Sequence, residues 1–218
     1  MKKFIKNNSL SIVFLLLFLV CIIGQVYFGL QEYNTALVDD GGNPVSLTYY
    51  FTSGHFIQST FENWESEFLQ MLLFVWLTIF LRQKGSSESK SLDHPEEVDR
   101  EPSPEKEGAP WPVRKGGLWL AIYKHSLTLS LLLLFLLSFV LHFCGSLADE
   151  NLFNRLKGKP ESTYTEYLSS SRFWFESFQN WQSEFLSIFA IIVLSIYLRQ
   201  IGSSQSKPVD TPNEETEE

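Results

Sequence analysis

Phe61-Glu62-Asn63-Trp64-Glu65-Ser66-Glu67-Phe68-Leu69 returns as Phe178-Gln179-Asn180-Trp181-Gln182-Ser183-Glu184-Phe185-Leu186, 117 residues further on (178 − 61). Leu81-Arg82-Gln83-Lys84-Gly85-Ser86-Ser87-Glu88-Ser89-Lys90 returns as Leu198-Arg199-Gln200-Ile201-Gly202-Ser203-Ser204-Gln205-Ser206-Lys207 at the same spacing. The register also pairs Ser9-Leu10 with Ser126-Leu127, Thr48 with Thr165, Tyr50 with Tyr167 and Phe56 with Phe173, so 7–90 maps onto 124–207 without a gap. Each copy carries two long apolar runs, and the repeat therefore describes a duplicated membrane hairpin.

A spanning helix needs about 20 mostly apolar residues for a hydrocarbon core roughly 30 Å thick. Residues 10–28 and 127–147 meet this. The runs at 68–81 and 185–198 are shorter, so their helices must begin near Phe61 and Phe178 and include the polar motif. The expected helices are 8–30, 56–83, 122–147 and 172–200. The first two-span repeat fills 1–90 and the second 118–207. An acidic Pro/Glu-rich linker at 91–117 joins them, and an acidic tail at 208–218 follows. The expected fold is all-α: an integral membrane four-helix bundle from two tandem parallel two-span repeats, with disordered linker and tail.

The net charge of −8 comes from acids concentrated in 93–107 and 210–218, which read as solvated chain. No basic stripe suggests a nucleic-acid partner; the lipid bilayer is the expected one. Cys21 and Cys144 are not repeat equivalents and lie in apolar runs, so both are expected as small buried hydrophobes, without a disulfide, metal or cofactor. Met1-Lys2-Lys3 before an apolar run has a signal-peptide layout, but the internal copy shares that layout and no small-x-small site follows, so an uncleaved span is expected.

Lys2, Lys3, Lys6, Arg82, Lys84, Lys90, Arg114, Lys115, Lys124, Arg199 and Lys207 fall on one side of the four runs. Arg155, Lys157, Lys159 and Arg172 are the minority on the other. The positive-inside rule puts the first set, with both termini, in the cytoplasm. The outer segments 46–56 and 162–173 are rich in Tyr and Phe, as expected of short helices at the headgroup level.

Depth along the helices follows from the inner anchors Arg82 and Arg199. Glu67 and Glu184 each lie 15 residues above their Arg, roughly 22 Å up. Asn63, Asn180, Gln25 and His142 come out near the outer edge, roughly 28 Å up. Asn63 and Glu67 are i, i+4, as are Asn180 and Glu184. Both pairs are expected to face the bundle interior, because a lipid-facing carboxylate is costly. Two roles fit this layer. It binds a proton or cation through Glu67 and Glu184, or it packs helices through hydrogen bonds. Trp64 and Trp181 complete the interface anchors.

No catalytic triad, phosphate-binding loop or zinc-helix spacing occurs, so a catalytic site is not expected. Three non-enzymatic roles remain: assembly with itself or a partner, proton or cation conduction, and envelope sensing. A homo-oligomer is compatible with so thin a bundle. The duplicated Asn-Trp-x-Ser-Glu-Phe and Leu-Arg-Gln-x-Gly-Ser motifs, with Ser53-Gly54-His55-Phe56 and Ser171-Arg172-Phe173-Trp174-Phe175-Glu176-Ser177, resemble a family of small bacterial integral membrane proteins classed as a domain of unknown function. The resemblance implies a multi-pass protein of the bacterial cytoplasmic membrane and supplies no activity.

Overall fold

The computed structural model describes residues 2–216 and is helical, with no strand among them. In chain order the helices are α1 (Lys2–Asn7), α2 (Ser9–Asp39), α3 (Leu47–Tyr50), α4 (Gly54–Leu77), α5 (Trp111–Lys115), α6 (Gly117–Lys124), α7 (Ser126–Leu156), α8 (Tyr164–Leu168) and α9 (Ser171–Tyr197). Helices α2, α7 and α9 are long and apolar enough to cross a membrane. None of the apolar window of α2 is buried within the chain, and little of the other two is, so these side chains face outward. That is how helices solvated by lipid are arranged.

The sequence repeat reappears in local stereochemistry. Helices α2 and α7, α3 and α8, and α4 and α9 begin 117 residues apart. Helix α2 stops where Gly41 takes φ +82°, and Gly42 N donates to Leu37 O at 2.7 Å. Helix α7 stops where Gly158 takes φ +66°, and Lys159 N donates to Asn154 O at 2.8 Å. This glycine-terminated closure satisfies carbonyls the helix would leave open. The next turns are pinned alike. Asn34 brackets the backbone of Val45, and Asn151 that of Ser162. Ser46 and Thr163 cap α3 and α8.

Several boundaries differ from expectation. Helix α2 continues nine residues beyond 30, because Glu32, Tyr33 and Leu37 find partners in an outer cluster. Helix α7 likewise continues past 147, and the residues before it form the separate α6, broken at His125. Helix α4 ends at Leu77 rather than 83. Linker and tail, expected to be disordered, carry specific contacts. Lys90 pairs with Asp99. Buried Lys207 donates its three ammonium protons to the carbonyls of Pro212, Asn213 and Glu215. Cys21 and Cys144, expected to be buried, are exposed.

The chain forms two compact units. One contains Met1–Phe61 and Val140–Trp174. Its core is Tyr33, Leu37 and Tyr50, packed by Leu30, Val45, Phe56, Leu152, Phe153 and Leu156. Within it the start of α4 crosses α7 at backbone distance. A Cβ on Gly54 would lie 2.4 Å from Asp149 N, and one on Gly145 2.6 Å from Gln58 N. The other unit contains Glu62–Phe139 and Phe175–Glu218, and Ser66, Ser86, Ser138, Ser177 and Ser195 are buried in it. Small hydroxyl residues of this kind let helices approach closely in lipid.

Gly145→Ala is expected to destabilise the protein by about 1–3 kcal/mol through overpacking, read as a lower thermal midpoint in detergent. Gly24→Ala, where nothing lies within 4 Å, is expected to be neutral or to stabilise by up to about 1 kcal/mol through helix propensity.

Candidate functional site

The polar site is built from positions that recur at a spacing of 117 residues. The extra turns of α2 carry Glu32 and Tyr33. Ser53 caps α4 by accepting from Phe56 N at 3.2 Å, which sets His55 in the first turn. His55 Nε2 then meets Glu32 Oε2 at 3.0 Å, and its Nδ1 lies 3.2 Å from Tyr50 Oη. The Tyr33 ring stacks on the imidazole with centroids 4.9 Å apart. Carboxylate, imidazole and phenol thus form one hydrogen-bonded chain beside a buried aromatic core.

The second copy supplies the same acid–base pair in different residues. Ser170 caps α9 by accepting from Phe173 N at 3.3 Å. Arg172, the repeat equivalent of His55, donates from Nη2 to Oδ2 of Asp149, the equivalent of Glu32, at 3.3 Å. Arg172 also reaches Gln58 Oε1 and Glu150 Oε2, at 3.4 and 3.8 Å. Buried Tyr167, the equivalent of Tyr50, shares a hydrogen bond with Ser146 Oγ. Position 146 corresponds to Gly29, where a Cβ would lie 2.2 Å from Tyr50 Oη. The first copy therefore turns its phenol to the histidine, and the second turns its phenol to a serine.

The two pairs differ in environment. The Asp149 side chain is 6% exposed, whereas that of Glu32 is 67% exposed. The carboxylate of Asp149 is thus much better shielded from water than that of Glu32. Burial, followed by the nearby carboxylates of Glu32 and Asp149, pushes the Tyr50 phenol from its ordinary 10.0 up to about 12.

The residues anticipated as a polar layer are distributed differently. Gln25 Nε2 donates to Ser59 Oγ and Thr60 Oγ1, at 3.2 and 3.0 Å. His142 is fully buried, its ring 5.1 Å from that of Phe173. Asn180 Nδ2 donates to Glu176 O at 3.1 Å. Glu67 and Glu184 lie near enough to interact electrostatically. Asn63 and Glu67, however, are exposed on α4 rather than turned inward. Glu65, Ser66 and Gln70 are buried instead. Ser66 and Gln70 are one turn apart, and the small hydroxyl side chain suits close packing better than Asn63 does. Glu65 Oε1 accepts from Trp181 Nε1 at 2.9 Å, which gives that tryptophan a polar partner besides its place at the interface.

The anchors Arg82 and Arg199 act as matched helix ends. Nη1 of Arg82 donates to the carbonyls of Thr78, Ile79 and Leu81. Nη1 of Arg199 donates to those of Ser195, Ile196 and Leu198. A guanidinium placed on the last carbonyls also complements the helix dipole. Trp64 is half-buried. The pairs Glu32/His55 and Asp149/Arg172 escaped the sequence reading. The signal that would have found them is an acid and a base recurring together at a spacing of 117.

These helices, with three long and apolar enough to span a bilayer, define an all-helical protein with the character of an integral membrane protein. The whole chain, residues 1–218, matches the family described as Domain of unknown function (DUF6766), and it belongs to that family. No curated protein and no solved structure matches it.

Replacing Arg172 by Met strands the largely buried Asp149 charge and is expected to cost about 2 kcal/mol, whereas Glu32→Gln at the exposed pair costs less than about 1 kcal/mol. Thermal unfolding of both variants in one detergent checks the order. A raised phenol pKa adds stability that is complete below the ordinary tyrosine value and is lost as pH climbs from 10.0 towards about 12. Tyr50→Phe should flatten that alkaline limb of the pH–stability curve.

Proposed function

We propose that the chain is a non-enzymatic, multi-pass protein of the bacterial inner membrane that acts by assembling with a second copy or a helical partner. In this reading α2, α4, α7 and α9 are four spans forming two tandem parallel hairpins, with both termini in the cytoplasm. The 24 residues of α4 rise roughly 36 Å, enough for a core of about 30 Å. The observation that carries the assembly reading is the exposure of Glu67 on α4. Polar side chains on a membrane-embedded face are costly against lipid, and helix association shields them. The positive-inside pattern and the family resemblance support the location.

The observation favouring a second reading, proton or cation conduction, is the proximity of the Glu67 and Glu184 carboxyl groups. Two carboxyl groups near one another favour a proton held at one of them or a neutralising cation.

In lipid nanodiscs the wild type is expected to be dimeric or larger by mass measurement, and Glu67→Leu monomeric. A wild type that stays monomeric at every concentration overturns assembly with itself and moves the search to partner helices. Proton and monovalent-cation flux in liposomes, lost in a folded Glu67→Gln/Glu184→Gln variant, would favour conduction. No flux between pH 5 and 8 would remove it.

A further inference from the structure

The inner end of the unit formed by 62–139 and 175–218 holds a cavity of about 340 Å³. Its walls include Leu73, Phe74 and Leu77 from α4 and Ile188 and Ile192 from α9, and Arg82 borders it. A neighbouring cavity of about 480 Å³ shares Arg82 and adds Lys90. The lining follows α4 from Gln70 to its end at Leu77, roughly 10 Å at a helical rise, and continues through the turn to Arg82. The helical part alone is about a third of a core about 30 Å thick.

The two copies show what this arginine binds. Both guanidinium groups spend Nη1 on the same three carbonyl positions. Arg199 uses Nη2 on two further oxygens, Thr211 O at 2.9 Å and Asn213 Oδ1 at 3.2 Å, both from the chain's own tail. Arg82 Nη2 makes no hydrogen bond among the described residues, and it borders both cavities through its side chain. A pair of oxygens beside an apolar chain would complete this site in the first copy, as the tail does in the second.

We propose that this groove is a phospholipid site, with one acyl chain between α4 and α9 and the phosphodiester oxygens on Arg82. Planar guanidinium suits paired phosphate oxygens, and basic pockets between helices on the cytoplasmic side are where such headgroups bind. Lys90 beside the same position is neutralised by its ion pair with Asp99, so the guanidinium of Arg82 is the cationic group left for a phosphate. Glu88 borders the mouth, which suits a headgroup that also carries hydroxyl donors. Phosphatidylglycerol meets both requirements. The proposal rests on the reading of α4 and α9 as spans with Arg82 at the inner face.

Native mass spectrometry of the full chain in detergent tests it, with phosphatidylglycerol, diacylglycerol and inorganic phosphate as separate probes. One phosphatidylglycerol is expected to be retained about tenfold better than diacylglycerol, and phosphate alone not at all. Arg82→Gln should remove about tenfold of that retention, the effect of losing one charge-assisted contact. Arg199→Gln should leave it within about twofold. Ile188→Trp, which fills the groove without touching the arginine, should weaken retention of both lipids. Equal retention of the two lipids, equal losses at Arg82 and Arg199, or an unaffected Ile188→Trp would each overturn the proposal. Retention of phosphate alone would make this an anion site without a lipid chain. Detergent binding does not depend on sidedness. Reporter fusions that place residue 90 outside the cell would therefore sink the topology while leaving the lipid result standing.

Discussion

The backbone crossing of α4 on α7 is the constraint on which the outer part of the molecule depends. It exists because Gly54 and Gly145 present no side chain where the two helices meet. Once the helices touch at this distance, Ser53 caps α4 beside α7, His55 faces Glu32, and Arg172 reaches both Asp149 and Gln58. The crossing joins a helix of the first copy to a helix of the second. The repeat positions matching Gly54 and Gly145 are Ser171 and Phe28, which cannot make the same approach. Positions that recur at a spacing of 117 are thus sterically unequal, and only one of the two helix pairs can meet at this distance.

The acid–base pairs at this end share a position and differ in chemistry. Arg172 keeps its charge at every physiological pH, and it serves the carboxylate that is better shielded from water. His55 serves the exposed carboxylate. The fully buried tyrosines between them explain why the cluster is rigid enough to hold such pairs, since each phenol has a defined hydrogen-bond partner.

At the other end of the helices the arrangement is again duplicated and again unequal. Both arginines close the last turn of a helix by the same three bonds, yet the tail that follows the second copy folds back onto Arg199 and Lys207. The segment after the first copy instead meets Lys90 through Asp99. A lysine is costly to bury, and its three donors are matched here by three carbonyls, which is why a stretch of acidic composition takes up a defined path at all.

Helix type, apolar character and pairing of equivalent positions were legible in the sequence, because membrane length and a long ungapped repeat leave strong one-dimensional signals. Helix ends were less legible: the turns beyond residue 30 in α2 are held by partners distant in the chain, not by local apolar composition. The site was legible only in part. Composition and spacing placed Asn63 and Glu67 on the inward face of α4, where the structure buries Ser66 and Gln70. Which face of a helix turns inward depends on which neighbouring side chains are small enough to allow contact. That is a property of two helices together. By itself, the sequence determined that long apolar helices form and which residues recur at a spacing of 117. Only the tertiary structure decided which residues meet, because steric fit at Gly54 and Gly145 and the hydrogen bond at Glu65 involve residues far apart in the chain.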